Sequence, residues 1–207
     1  MGFFDFFTKK PANKPEIELY NEGKKNFDEG VSSGKRAIWM KSLELKSENG
    51  IPFFDTSKLE ILMTLAAFTE AVDSFDKAVA IKPDYTEAWF YRGLAMLELR
   101  KGEDAPDNFE VTRNGKKIVV AKLKWYSEAI NSFDKAIATK PDYAEAWFYR
   151  GIALHYSGHY SEAVVSFDKV IAIKPDTAEA WFYRGGTLGK LFRYTEAISS
   201  YDKAIKN

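Results

Sequence analysis

The chain contains no cysteine. That excludes disulfides, thiol nucleophiles and thiolate metal sites, and it fits any compartment. No apolar run approaches the ~20 residues that a bilayer-spanning helix needs. The start, Met1–Lys10, lacks the basic opening, apolar stretch and small-residue cleavage site of a secretory signal, so the expected location is cytoplasmic. Charge of one sign is also missing, since thirty basic residues balance thirty acidic ones. A protein that grips a phosphate backbone usually shows a basic excess or stripe, and no nucleic-acid partner is expected. Phosphate-cradling glycine loops, nucleophile elbows and metal signatures do not occur. No catalytic residue, metal or cofactor is assigned, and the chain is not expected to be an enzyme.

Aromatics, at 15% of the residues, are plentiful, and most of them repeat. Glu-Ala-Trp-Phe-Tyr-Arg-Gly occurs at Glu87–Gly93, Glu145–Gly151 and Glu179–Gly185. Ser-Phe-Asp-Lys occurs at Ser74–Lys77, Ser132–Lys135 and Ser166–Lys169, with a variant at Ser200–Lys203 that carries Tyr201. Lys-Pro-Asp occurs at Lys82–Asp84, Lys140–Asp142 and Lys174–Asp176. The markers Trp147 and Trp181, Phe133 and Phe167, and Pro141 and Pro175 are each 34 residues apart. One step upstream the same markers are 58 apart, and 58 is 34 plus 24, so one unit carries a 24-residue insertion.

A 34-residue period fits a helix–turn–helix unit. In the uninterrupted copy, Trp147, Gly151 and Leu154 share a face of a first helix. Tyr160, Ala163, Phe167 and Val170 come next at helical spacing on a second. Gly158 supplies the turn between them, and Pro175 ends the second helix. Small Gly151 and Ala163 allow close approach, and Trp147 fills the space around them.

In type and spacing, Trp147, Gly151, Tyr160, Ala163, Phe167 and Pro175 resemble the tetratricopeptide repeat (TPR). So do Trp181, Gly185, Tyr194, Ala197, Tyr201 and Ala204, and so do Trp89, Gly93, Tyr126, Ala129, Phe133 and Pro141 once the insertion is removed. The resemblance covers Glu70–Asn207, with a first unit beginning near Glu16 that uses Gly23, Phe68, Ala71, Phe75, Ala78 and Pro83. It implies an all-α solenoid of four repeats wound as a right-handed superhelix. The division is a Phe-rich segment 1–15, a first repeat 16–85 with an insertion at about 31–67, a second repeat 86–143 with an insertion at about 101–124, a third 144–177 and a fourth 178–207.

The family usually has an apolar residue just before the first-helix glycine, where this chain has Arg92, Arg150 and Arg184. Each lies 16 residues after an aspartate of the preceding second helix, Asp76, Asp134 or Asp168. The first repeat has no predecessor and carries Glu22 there. Asp–Arg pairs joining neighbouring repeats are expected, fixing register more than adding stability.

Asn114-Gly115 between two β-prone runs signals a hairpin. Asn49-Gly50 repeats the signal in the first insertion, with Pro52 against a regular strand. The two segments are expected to meet as a small β addition on one rim. The competing reading is helical, with Ser57–Glu60 as a capping box opening a helix that runs through Leu62, Leu65, Phe68 and Val72 to Ile81. For 118–124 strand and helix both stay open.

The resemblance places a concave groove along the first helices, lined by Phe90, Leu94, Leu97 and Glu98, then Phe148, Ile152, His155 and Tyr156, then Phe182, Gly186, Gly189 and Lys190. It would suit an apolar peptide or amphipathic helix of a protein partner. The lysine, asparagine and arginine with which some such domains hold a C-terminal carboxylate are absent from the matching places, Tyr20, Lys24, Phe90, Leu94, Phe148 and Ile152. His155 and His159 have metal-pair spacing, but Gly158 ends the helix between them and no third ligand is near in sequence. Phe3, Phe4, Phe6 and Phe7 fall on one face of a short helix that could touch a membrane surface weakly or dock in a groove. The last helix has no polar capping helix after it. Besides a protein-binding adaptor, two further readings are a non-catalytic structural subunit or homo-oligomer assembled through that end, and an RNA-binding helical repeat.

Overall fold

A computed structural model describes residues 15–44, 56–100, 108–113, 116–121 and 125–207. The Phe-rich start therefore lies outside the described residues. Among the described residues eight helices succeed one another: α1 (Pro15–Glu44), α2 (Thr56–Ile81), α3 (Thr86–Arg100), α4 (Trp125–Thr139), α5 (Ala144–Tyr156), α6 (Tyr160–Ile173), α7 (Ala178–Lys190) and α8 (Tyr194–Lys206). Between α3 and α4 stand two strands, β1 (Asn108–Arg113) and β2 (Lys116–Ala121). Each helix packs against the one before and the one after it, as in an all-α TPR solenoid.

The helix boundaries reflect local chemistry. Proline cannot continue a helix, and Pro83, Pro141 and Pro175 each sit in a tight turn. There Tyr85, Tyr143 and Thr177 donate their backbone N–H to the carbonyls of Lys82, Lys140 and Lys174. The next tryptophan ties that turn down: the indole Nε1 of Trp89, Trp147 and Trp181 donates to the carbonyl of the proline six residues earlier, at 2.7, 2.9 and 2.9 Å. The turn inside the third unit uses Gly158 at φ +85°, and the corresponding turn in the last unit places Phe192 at φ +60°. A bulky residue in that left-handed region costs about 1–2 kcal/mol.

Inside each helix pair a glycine on the first helix lies under an aromatic ring of the second. A Cβ on Gly93 would stand 2.6 Å from Phe133, one on Gly151 2.7 Å from Phe167, and one on Gly185 2.9 Å from Tyr201. In the first pair Gly23 meets Phe75, and one heptad along Gly30 meets Phe68, each at 2.8 Å. The longer α1 and α2 thus repeat the same knob in the same groove.

The expected shared β addition lies in part outside the described residues. The second insertion forms an antiparallel hairpin, Arg113 opposite Lys116 and Asn108 opposite Ala121, so 118–121 is strand. The first lengthens two helices: α1 runs on to Glu44, and α2 is continuous from Thr56 to Ile81. Its segment 45–55, including Asn49-Gly50, lies outside the described residues. Good helix formers between Lys35 and Glu44 carry α1 onward. The hairpin lies beside α2, and both strands approach it.

The glycine contacts give a stability test. Gly151→Ala is expected to cost about 1–3 kcal/mol, because the added methyl meets a fully buried Phe167 ring. Gly189→Ala meets nothing within 4 Å and is expected to be neutral or slightly stabilising. Equilibrium urea unfolding of the two variants checks the contrast.

Candidate functional site

The junction between units is built around one guanidinium. Arg92 Nε donates to Asp76 at 2.5 Å, Arg150 Nε to Asp134 at 2.6 Å and Arg184 Nε to Asp168 at 2.6 Å. The same arginine turns Nη1 to a serine of its own unit's second helix, Ser132, Ser166 or Ser200, at 2.6–2.7 Å. That serine donates its own hydroxyl to the carbonyl four residues back. All three serines are fully buried. The flat face of each guanidinium lies 5.7–5.9 Å from the tryptophan ring three residues earlier. Three helices meet at each arginine. The serine's part was hidden in the sequence, although Ser-Phe-Asp-Lys recurs with the serine in place.

Beside the arginine a tyrosine covers the preceding unit. Tyr91 stacks on Phe75, Tyr149 on Phe133 and Tyr183 on Phe167, with centroids 6.2, 6.2 and 6.0 Å apart. Burial pushes the Tyr91 hydroxyl up to about 12 and the Tyr143 hydroxyl further still, so these rings are neutral packing elements.

The expected groove residues divide. The first helices α1, α3, α5 and α7 approach their next-but-one neighbours and so share one side of the array. On it Leu94, Phe148, Ile152 and His155 are half-buried, and Tyr156 and Phe182 are 49% and 57% exposed. Phe90 and Leu97 are buried, at 2% and 8%, and neither offers a surface to a ligand. For Phe90 the reason is the last residue of its own unit, in the turn before α5: the Tyr143 ring lies 4.9 Å from Phe90, whereas the smaller Thr177 stands at the matching place beyond Phe148.

His155 joins α5 to α7. Its Nδ1 is 2.9 Å from Thr187 Oγ1, and that hydroxyl already donates to the Tyr183 carbonyl. The imidazole must therefore be the donor, which places its proton on Nδ1. Rings of Tyr156 and Tyr160 flank it at 5.2 and 5.6 Å, and Tyr126 stacks on Tyr156 at 6.5 Å. His159 instead contacts Ser157, and among the described residues no group of three metal-ligating side chains comes together. No helix of the described residues is long and apolar enough to cross a membrane.

A family model described as TPR repeat matches residues 122–158, and models described as tetratricopeptide repeat match 144–177 and 178–207. RNA polymerase II-associated protein 3 of Rattus norvegicus and that of Mus musculus are each 29% identical over 49% of this chain, a stretch that spans only 17% of those relatives' length. Crystal structures of MamA share the fold. One aligns with TM-score 0.55 at 20% identity over 80% of this chain and 82% of that one, another with 0.54 at 20% over 93% and 91%.

The junction geometry sets the expected costs of substitution. Arg150→Ala is expected to cost on the order of 2 kcal/mol, because it removes charged donors from a buried serine and a neighbouring helix. Asp134→Asn is expected to cost under about 1 kcal/mol, since the carboxylate is half-exposed and screened. Urea unfolding measures both. Burial, and next the charge of Lys190, lower the His155 pKa. The unfolded chain then binds more protons as pH falls below about 6.5, and stability present above that value is lost on acidification. His155→Asn, which keeps an N–H for Thr187, is expected to reduce the loss between about pH 7 and 5 in thermal melts.

Proposed function

Residues 122–207 are tetratricopeptide repeats, a protein-interaction scaffold, and we propose that the chain works as a non-catalytic adaptor that takes an apolar segment of a partner protein along α3, α5 and α7. The observation that carries this reading is the partial exposure of apolar and aromatic side chains on three successive first helices: Leu94, then Phe148, Ile152 and Tyr156, then Phe182. Exposed apolar side chains that gather on one side of an array mark an interaction surface. Tyrosine and phenylalanine supply contact area at small entropic cost. The strip is nearly uncharged, so a helix or extended segment with apolar anchors suits it better than an acidic tail. Phe90 acts from behind it by holding α3 against α5 through the Tyr149 ring.

The test is affinity capture from lysate with the parent chain and with an Ile152→Ser, Tyr156→Ala variant whose helical circular dichroism is unchanged. A partner held by the parent and lost by the variant is the expected result. Identical captures would remove the strip from the binding account.

A further inference from the structure

Glutamate holds the second position of α3, α5 and α7, as Glu87, Glu145 and Glu179, where the first turn of a helix favours a carboxylate. The three differ in their neighbours. Glu145 takes the Nζ of Lys174, from the turn that ends its own unit, at 2.5 Å. The lysine at the matching place in the second unit is Lys140. Its Nζ lies over the Tyr143 ring instead, 5.1 Å from the centroid. Glu87 meets no basic group among the described residues. The difference stands three residues beyond each lysine, where Tyr143 offers a ring face and Thr177 offers none. Glu179 is exposed, whereas Glu87 is half-buried. Glu87 is thus a partly desolvated carboxylate whose matching cation is held elsewhere.

Tyrosine hydroxyls gather near it. The Tyr20 ring of α1 lies 5.0 Å from Tyr85 and 6.1 Å from Tyr91, and Tyr20 is 7% exposed. Its hydroxyl is buried and finds no hydrogen-bond partner among the described residues. A buried hydroxyl left unmet is costly, and the helix terminus that explains the glutamate does not explain it. Burial, then the Tyr91 and Tyr85 hydroxyls and the Glu87 carboxylate, push the Tyr20 hydroxyl well above the usual phenol range. Behind burial, Glu87 acts in the same direction on Tyr85, Tyr91 and Tyr143. One carboxylate therefore lies within electrostatic reach of four neutral phenols. Lys24 Nζ lies over the Tyr91 ring at 4.7 Å, but it is paired with Asp28 at 2.8 Å. Along α3 Glu87 shares a face with Phe90 and Leu94, three and seven positions on, so it adjoins the strip.

We propose that Glu87 and the Tyr20 hydroxyl form a site for one basic side chain, an ammonium or guanidinium, carried by the partner segment that lies on the strip. The carboxylate supplies the opposite charge, and the Tyr20 oxygen accepts a second hydrogen bond from the same cation. Tyr85 is half-buried on its turn and covers the Tyr20 ring, and rotation of that one side chain admits the ligand to the hydroxyl. The surrounding rings favour a cation further. An anion would meet Glu87, and an apolar group would leave both polar groups unmet. Placing the cation on the partner segment rests on the adaptor reading; the preference of the site for a cation does not.

The probes are n-butylguanidinium and n-butylammonium, with neutral n-butylurea as the control, titrated into the full chain and followed by amide and tyrosine NMR shifts. Saturable shifts around Tyr20 and Glu87 are expected with at least one cation and not with n-butylurea. Glu87→Gln and Tyr20→Phe, each with unchanged circular dichroism, are expected to weaken that binding at least about fivefold. Ile152→Ser disrupts the strip and is expected to leave it unchanged, so failure of the strip and failure of this site are read separately. Absence of binding, equal binding of n-butylurea, or cation binding indifferent to Glu87→Gln or to Tyr20→Phe overturns the proposal. So does binding that appears only with Lys140→Met, because Glu87 would then be held by the chain's own lysine.

Discussion

The guanidinium of Arg92, Arg150 or Arg184 is the point where successive units are registered. A planar, permanently charged group can satisfy an aspartate on one helix and a serine on another at once, while its face rests on an indole. A lysine could not make that set. Because the serine is already committed to its own helix carbonyl, its oxygen can only accept, and the arginine fits one rotation of the helix. The Tyr–Phe stack beside it then supplies the buried area. Charge and stack together explain why three junctions have nearly identical dimensions despite a β-hairpin inserted into one of the units.

Much of this could be read from the residues. The tryptophan, glycine, phenylalanine and proline spacing gives the units, since each residue type meets a steric need that few others meet. The 16-residue Asp–Arg spacing was visible because arginine stands where the family has an apolar residue, and the structure brings those groups to within 2.6 Å. Two things were not visible. Phe90 belongs to the groove by family position, yet the Tyr143 and Tyr149 rings cover it, and that depends on side chains far along the sequence. The first insertion carries the same Asn-Gly signal as the second, but the residues before it sustain α1, and local turn chemistry says nothing about how far a flanking helix extends.

The first and last of the described helices differ in their outward faces. The outward face of α1 is polar, so water is an adequate neighbour for it. The outward face of α8 repeats the apolar and acidic pattern that is covered everywhere else, so its exposure runs against the same rule that assembles the interior.

The central claim is that each second helix is held by the arginine and tyrosine of the helix that covers it. Amide hydrogen exchange, comparing α6 with α8, addresses it most directly, since the two helices share their pattern and differ chiefly in cover. The expected result is that α8 exchanges much faster than α6 in the free chain, with α6 slowing only to the level of its stacked neighbours. Equal protection of α8 and α6 in a monomeric chain would contradict the account, because it would mean that a second helix needs no such cover to be held.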